Sequence, residues 1–334
     1  MTIAERIASE YKNAGDKKAV IICGPTASGK SSVAMELCAL LDGELVSCDS
    51  MQIYRMMDIG TAKPTPEEQR LVRHHMIDIV DPWINYSSFM YKRDAEIEIK
   101  DVFARGKTPV ICGGTGLYVN SLIDNREYSD EPEGTFFSDE FRDEKERCDR
   151  LIDQGDRDAL HELLTKYDPD AAADIHKNNV KRVYRALFLY FTTGKTRGER
   201  NIESLKNKPD INYLTYCLMP ERDKLYGKID QRVDVMRAQG LFEEVEKVYG
   251  ECRLHVDQKD VDSLAILKLT ALNAIGYKEL IPLLDFPELK PLKDIDQCAS
   301  LDAAFDRIKQ DSRQYAKRQI TWFKKTPGTI FIEI

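Results

Sequence analysis

The stretch GPTASGKS, Gly24 to Ser31, fits the pattern G-x-x-x-x-G-K-[ST]. Glycines at 24 and 29 let backbone amides turn inward around a phosphate, Lys30 adds a positive charge, and Ser31 offers a hydroxyl to Mg²⁺. The helix that must follow contributes its positive N-terminal end. Such a loop binds a phosphate or a diphosphate, but nucleotide hydrolysis asks for more. A phosphate-loop NTPase also carries an Asp at the end of a nearby strand to hold Mg²⁺. Here the strand PVIC runs into Gly113, Gly114 and Thr115, with no carboxylate. NKPD, starting at Asn207, has the spelling of a guanine-reading N-K-x-D. It follows the polar segment NIESLK rather than a strand, and no D-x-x-G occurs in the chain, so a GTPase reading fails.

Asp49, Ser50 and Gln52 form a second group, in DSMQIYRMMDIGTAKPT. A carboxylate at a strand end beside a phosphate loop can ligate metal or act as a general base. Ser50 and Gln52 offer donors and acceptors suited to the edge of a base. The plainer alternative is that Asp49 caps a turn. His74 and His75 lack further ligands nearby, so packing or hydrogen bonding is expected of them rather than metal binding. The eight cysteines are dispersed without a C-x-x-C pair. Cys23, Cys38, Cys48 and Cys112 fall in or beside apolar segments, which reads as free buried thiols in a reducing cytoplasm.

These residues need strands and helices to place them. KAVIIC (Lys18 to Cys23) is a buried strand ending at the glycine loop, and Lys30 to Leu41 has helical spacing. GELVSCDS is a second strand ending at Asp49, HHMIDIVDP a third closed by Pro82, and TPVICGGTG a fourth entering a glycine turn. Ser88 to Arg105 reads as a helix. Strands alternating with helices predict a parallel α/β sheet covered on both faces, with ligands beyond the carboxyl ends of the strands. Gly24–Ser31, Asp49 and Gly113–Gly116 all lie at such ends. Trp83 and Tyr86 are expected to pack in the core near that cleft.

From about Asn125 the pattern turns charged and helical until YLTYCLM (Tyr213 to Met219) restores a strand. The expected organisation is a core of residues 1–124 and 206–334, interrupted by a mainly helical insertion at 125–205. Further helical stretches are Lys224 to Tyr249, Tyr277 to Leu284 and Ala299 to Phe323. The chain of 334 residues is 42% hydrophobic and 32% charged, long enough for a large core. No run of eighteen apolar residues offers a membrane span, and the acidic N-terminal stretch argues against a targeting peptide. A net charge of −8 speaks against nucleic acid for the molecule as a whole. Local charge speaks for it: Arg307 to Lys325 holds seven basic residues and one acidic, Asp311.

GPTASGKS, DSMQIYRMMDIGTAKPT, HHMIDIVDP, GGTGLYVNSLI, IHKNNVKRVYRALFLYFTTGKT, RVDVMRAQGLFEEV, AIGYKE and RQYAKRQITWF occur together and in order. In series they resemble the tRNA dimethylallyltransferase family, also called tRNA isopentenyltransferases, in its shorter bacterial form. The likeness runs from about Ala19 to Phe323. It implies a P-loop NTPase-like α/β fold and transfer of a dimethylallyl group from dimethylallyl diphosphate to N6 of an adenosine beside the tRNA anticodon. The glycine loop then holds a departing diphosphate rather than a nucleotide to be hydrolysed.

By the same resemblance, Gly24, Thr26, Ala27, Ser28, Gly29, Lys30 and Ser31 bind the donor diphosphate, with Mg²⁺ on Ser31. Asp49 is the general base, Thr115 stands near the reacting centre, and Arg232 serves the diphosphate, with a surface salt bridge as its plain alternative. Asp49, Ser50, Met51 and Gln52, with Thr115, meet the flipped base. Lys181, Arg182 and Arg185, and the stretch Asn273, Ala274, Ile275, Gly276, Tyr277 and Lys278, contact the tRNA anticodon stem-loop. Arg313, Tyr315, Lys317, Arg318, Trp322 and Lys324 mix charge and aromatics on the last helix. The alternative there is a solvated basic face with Tyr315 and Trp322 in the core. Two positions depart from the family pattern: Phe188 stands where an acid is common, and IHKN replaces I-H-P-N. A cytoplasmic monomer is expected. The rivals are an adenylate isopentenyltransferase acting on free nucleotides, a P-loop small-molecule kinase, and a non-catalytic RNA-binding protein.

Overall fold

The computed structural model describes residues 1–14, 18–124, 139–206, 210–293 and 300–334. Two compact units emerge, one from Met1–Ile123 with Ile211–Ile334 and the other from Asp124–Asp210.

The larger unit is built on a six-stranded sheet: β1 Ala19–Cys23, β2 Gly43–Ser47, β3 His74–His75, β4 Thr108–Gly113, β5 Tyr213–Met219 and β6 Thr329–Glu333. Their order is β3-β2-β4-β1-β5-β6, and every pairing is parallel. The residues of β1 and β4 are buried throughout, as expected of central strands covered on both faces. The helices preceding the second unit are α1 Ile3–Asn13, α2 Lys30–Leu41, α3 Pro66–Leu71, α4 Ser88–Ala104 and α5 Gly116–Ile123. Those of the second unit are α6 Asp139–Asp153, α7 Arg157–Tyr167, α8 Pro169–Asp174, α9 Val180–Thr193 and α10 Arg197–Lys206. After β5 come α11 Arg222–Ala238, α12 Leu241–His255, α13 Gln258–Asp262, α14 Lys290–Lys293 and α15 Leu301–Phe323.

Local chemistry sets several boundaries. Thr65 and Glu68 close a capping box on α3, with Pro66 in its first turn. Ser87 and Ser300 cap α4 and α15 through their hydroxyls. The expected helix Lys224–Tyr249 is two helices, because Gly240 takes φ +93° between α11 and α12. α11 and α15 run antiparallel. Arg313 pairs with Asp230, Lys309 with Asp234 at 2.5 Å, and Arg237 with Asp302 at 2.6 Å.

Further expectations need correction. HHMIDIVDP is a strand only at His74–His75; Met76 and Asp78 turn to positive φ, and Asp78 and Ile79 donate their amides to the carbonyls of Gln52 and Ile53. Tyr277–Leu284 is a run of tight turns with one 3₁₀ segment, Ile281–Leu283, since Pro282 has no amide to give a helix. β6 was not anticipated.

Tyr86 is buried with its hydroxyl on Asp94 at 2.8 Å, whereas Trp83 is only half-buried and stacks on His255. His75 bonds Glu44 at 2.7 Å and Glu98 at 2.6 Å, and His74 bonds the Val72 carbonyl. Among the described residues no group of three or more His, Cys, Asp or Glu is disposed to hold a metal. Cys23, Cys38, Cys48 and Cys112 are free and buried. No helix of the described residues is long and apolar enough to cross a membrane.

The second unit has its own apolar core, centred on Leu160, Leu164, Val183, Leu187 and Phe191. Phe188 is buried. Lys181, Arg182 and Arg185 are exposed on α9. NKPD begins outside the described residues.

Candidate active site

The glycine loop joins β1 to α2 without a gap: Gly29 is the left-handed residue before Lys30, and no side chain caps the helix. First-turn amides with no capping side chain and no acid in that turn offer their hydrogens to an anion. Gly24 has no alternative, since a Cβ there would lie 2.6 Å from the Leu218 carbonyl oxygen. Lys30 folds back to donate to the Pro25 carbonyl at 2.6 Å. The Ser28 hydroxyl is buried without a partner among the described residues. The Thr26 amide is already engaged: it donates to Gln319 Oε1 at 2.9 Å, and Gln319 Nε2 donates to the Gly114 carbonyl at 2.9 Å. One buried amide on α15 thus ties the glycine loop to the turn after β4.

That turn explains why no NTPase carboxylate is present. A Cβ at Gly113 would meet the Cys48 carbonyl oxygen at 2.0 Å, so the close approach of β4 to the end of β2 excludes every side chain, not acids alone. The approach puts Thr115 beside Ser50. Ser50 N donates to Thr115 Oγ1 at 2.9 Å, Thr115 Oγ1 donates to Ser50 Oγ at 3.2 Å, and Thr115 N donates to the Cys48 carbonyl.

Asp49 lies just beyond β2. Its Oδ1 accepts the Met51 amide at 2.9 Å, the turn-capping bond of the plain reading. Oδ2 has no hydrogen-bond partner among the described residues, so the turn orients the carboxylate and leaves one oxygen available. Gln52 is more committed. Its Oε1 accepts from Ser47 Oγ at 2.9 Å, and its Nε2 faces the carbonyls of Thr61 and Ala62 at 3.4 and 3.3 Å.

Arg232 does not make the surface salt bridge held open for it. It points inward, with Nη2 3.3 Å from the Thr61 carbonyl. Burial pushes its guanidinium and the Lys30 ammonium below their ordinary ranges; the Asp49 charge opposes this at both, and Arg232 adds to it at Lys30. Two cations crowd one carboxylate. An anion placed beside them relieves that imbalance.

Two cavities meet here. One, of about 140 Å³, is lined by Thr26, Lys30, Ser31, Asp49, Gly113, Gly114 and Arg232, among others. The other, of about 300 Å³, is lined by Asp49, Ser50, Met51, Gly60, Thr61 and Arg232, the apolar Val233, Met236 and Ile308, and the segment Asn273–Gly276 with Lys278. Thr26, Asp49, Arg232 and Tyr315 line both. Ser31 is the exposed hydroxyl of the smaller cavity, and Asp49 and Glu68 are the carboxylates that line it. So sparse a donor set does not make a protein cage, but it fits a Mg²⁺ ion that keeps its waters and binds mainly through substrate phosphates.

The walls of the larger cavity are held by a residue to which sequence reasoning gave no role. Glu244, on α12, accepts the amides of Asp58, Ile59 and Gly60 at 2.8, 2.7 and 2.9 Å, and the Tyr277 hydroxyl at 2.6 Å. Tyr277 is therefore fully buried as a support, while its neighbours Asn273–Gly276 and Lys278 line the cavity. Lys63, also unnoticed, is buried between Asp58 and Asp78 at 2.6 Å each and staples the base of the same loop. On α15 the basic run divides. Arg307, Lys309 and Arg313 are paired with Asp311, Asp234 and Asp230. Lys317, Arg318, Lys324 and Lys325 are exposed. Trp322 is 40% exposed rather than in the core.

Residues 52–326 match the family model described as IPP transferase. The chain is 40% identical over 313 residues to the tRNA dimethylallyltransferase of Acetivibrio thermocellus, covering 94% of this chain and 90% of that one. It is 41% identical over 310 residues to the enzyme of the same name from Staphylococcus aureus, covering 91% and 89%. Among solved structures it is similar to the tRNA isopentenylpyrophosphate transferase of Bacillus halodurans, with TM-score 0.63, 36% identity, and coverage of 95% and 90%. It is also similar to a eukaryotic dimethylallyltransferase acting on tRNA, with TM-score 0.78, 27% identity, and coverage of 95% and 74%.

Proposed function

The chain belongs to the IPP transferase family, and from that premise we propose that it transfers a dimethylallyl group from dimethylallyl diphosphate to N6 of the adenosine adjacent to the anticodon in tRNA, releasing diphosphate. The observation that carries this reading is the junction of the two cavities at Asp49 and Arg232. A phosphate ester in one and a second substrate in the other meet at a single carboxylate, with no room at Gly113 for the acid that hydrolysis would need.

The glycine loop, Lys30 and Arg232 take the diphosphate, whose charge answers these two half-buried cations. Mg²⁺, held through Ser31 and the phosphates, would supply Lewis-acid neutralisation of the leaving group. The adenosine leaves its stack at a cost of a few kcal/mol, smaller in a loop than in a duplex. Asp49 Oδ2 receives the N6 proton as the nitrogen attacks, because the amine lone pair is otherwise delocalised into the ring. Positioned proton transfer of this kind contributes roughly 10²–10⁴-fold in rate. Ser50 and Met51 form the wall against the base; Thr115 holds Ser50, and Gln52 mainly holds that wall. Lys181, Arg182 and Arg185, with Asn273–Gly276 and Lys278, bind the anticodon stem-loop, and Tyr277 supports that stretch from beneath. The protein acts as a cytoplasmic monomer.

The test is incubation with labelled dimethylallyl diphosphate together with unmodified tRNA or free AMP. Label on tRNA supports the reading, label on AMP alone replaces it with a nucleotide prenyltransferase, and label on neither refutes both.

A further inference from the structure

Of the four residues lining both cavities, Thr26, Asp49 and Arg232 have roles in the reaction and Tyr315 has none. It stands one helical turn before Gln319, whose side chain fixes the glycine loop against Gly114, so the ring is placed by the same turn of α15 that shapes the phosphate cavity. Its hydroxyl lies beside Thr115 and Gln319 and within reach of the Asp49 charge. The Arg318 guanidinium sits over its ring, 5.7 Å from the centroid. A cation already occupies one ring face, which leaves the hydroxyl as the group with work at the junction.

Complementarity decides what that hydroxyl does. The attacking N6 loses a proton and needs an acceptor, which Asp49 provides. The departing oxygen gains charge and needs donors. Tyr315 is a donor: burial, then the Asp49 charge, push its phenol up to about 12, so the proton stays on oxygen at neutral pH.

We propose that Tyr315 is a further catalytic residue of this transfer, donating a hydrogen bond from the cavity junction to the diphosphate oxygen that leaves. The C1–O bond breaks with its electron pair going to that oxygen, the N6–C1 bond forms, and the N6 proton passes to Asp49. The phenol proton is shared with the oxygen and not transferred. The assignment rests on the reading given under Proposed function.

Tyr315→Phe keeps the ring and removes the donor. Its kcat is expected to fall about 10²-fold, the order found for loss of one preorganised donor, while affinity for an unreactive thio analogue of the donor stays within threefold. A kcat within twofold of wild type overturns the proposal, as does a loss expressed wholly as weaker analogue binding. Placing 3,5-difluorotyrosine at 315 keeps the shape and acidifies the phenol, so the alkaline loss of rate should move to lower pH. An unmoved profile is a second overturning result. Wild-type transfer is measured first: its absence removes the underlying reading and this role together, whereas active wild type with active Tyr315→Phe removes only the role.

Discussion

Glu244→Gln is the substitution that tests how the larger cavity is held open. Oε2 accepts the amides of Asp58 and Ile59, and Oε1 accepts the Gly60 amide and the Tyr277 hydroxyl. Glutamine keeps one oxygen and turns an amino group toward two donors. Two hydrogen bonds to a charged acceptor are lost, each worth about 1.5–3 kcal/mol. Glu244 is half-buried, so water replaces part of the loss, and the lower end, about 3 kcal/mol in all, is the working figure. In a unit of this size that lowers Tm by about 6–12 °C if the whole fold bears it. If the loop opens alone, Tm moves less and the loss appears as weaker substrate binding, because the Thr61 carbonyl that faces Arg232 and Gln52 drifts. Thermal unfolding and steady-state kinetics on the same preparation separate the two outcomes. A double-mutant cycle with Tyr277→Phe should show a coupling of about 1 kcal/mol, since the two share a bond. Glu244→Gln with wild-type Tm and wild-type kcat/KM would refute the reasoning.

The remaining predictions concern the reacting groups and the RNA. Asp49→Asn should lower kcat roughly 10²–10⁴-fold with donor affinity nearly unchanged, measured by single-turnover transfer and analogue titration; equal losses in both would make Asp49 a binding residue. Burial, and then Arg232, lower the Lys30 pKa. Its charge is therefore lost at a lower pH than that of a free lysine, and donor affinity should fall as pH rises through that depressed range. Lys30→Arg, which keeps its charge, should hold affinity to higher pH if it binds at all, as isothermal titration across pH would report. Lys181→Ala should weaken tRNA binding for all sequences alike and reduce the slope of log K against log[salt] by about 1, leaving donor affinity unmoved.

How much was legible follows the reach of local rules. The glycine loop, β1, α2, β5 and α15 are visible in sequence because periodicity and turn chemistry act within one element. HHMIDIVDP misled because its apolar residues serve a loop that wraps Gln52–Tyr54, held by Lys63 reaching Asp78. Tyr277–Leu284 has helix-like apolar spacing, but Pro282 inside it has no amide to continue a helix, and only the 3₁₀ segment Ile281–Leu283 forms. β6 left a readable signal in Pro327-Gly328 followed by TIFI, β-branched but for the aromatic Phe331, which went unused. Two of the residues that were missed, Glu244 and Gln319, share one property. Glu244 meets its loop partners across 184 to 186 residues, and Gln319 meets Thr26 across 293. Spacing arguments do not reach that far. Only the motif series RVDVMRAQGLFEEV and RQYAKRQITWF drew attention to their neighbourhoods.

The bond between Thr26 and Gln319 has a consequence in time as well as space. During synthesis the glycine loop emerges early, within an α/β segment able to form β1, β2 and β4 before anything later exists. Gln319, Tyr315 and Arg232 arrive only after the second unit and β5 have been translated. A nascent chain thus displays a phosphate-loop signature well before it owns a donor site. Because non-local contacts form late in folding, the cavity around the loop is completed only when Arg232, Tyr315 and Gln319 dock onto it. Ligand binding reports completion of the fold, and any donor-dependent protection of the nascent chain should appear only once residue 319 has left the ribosome.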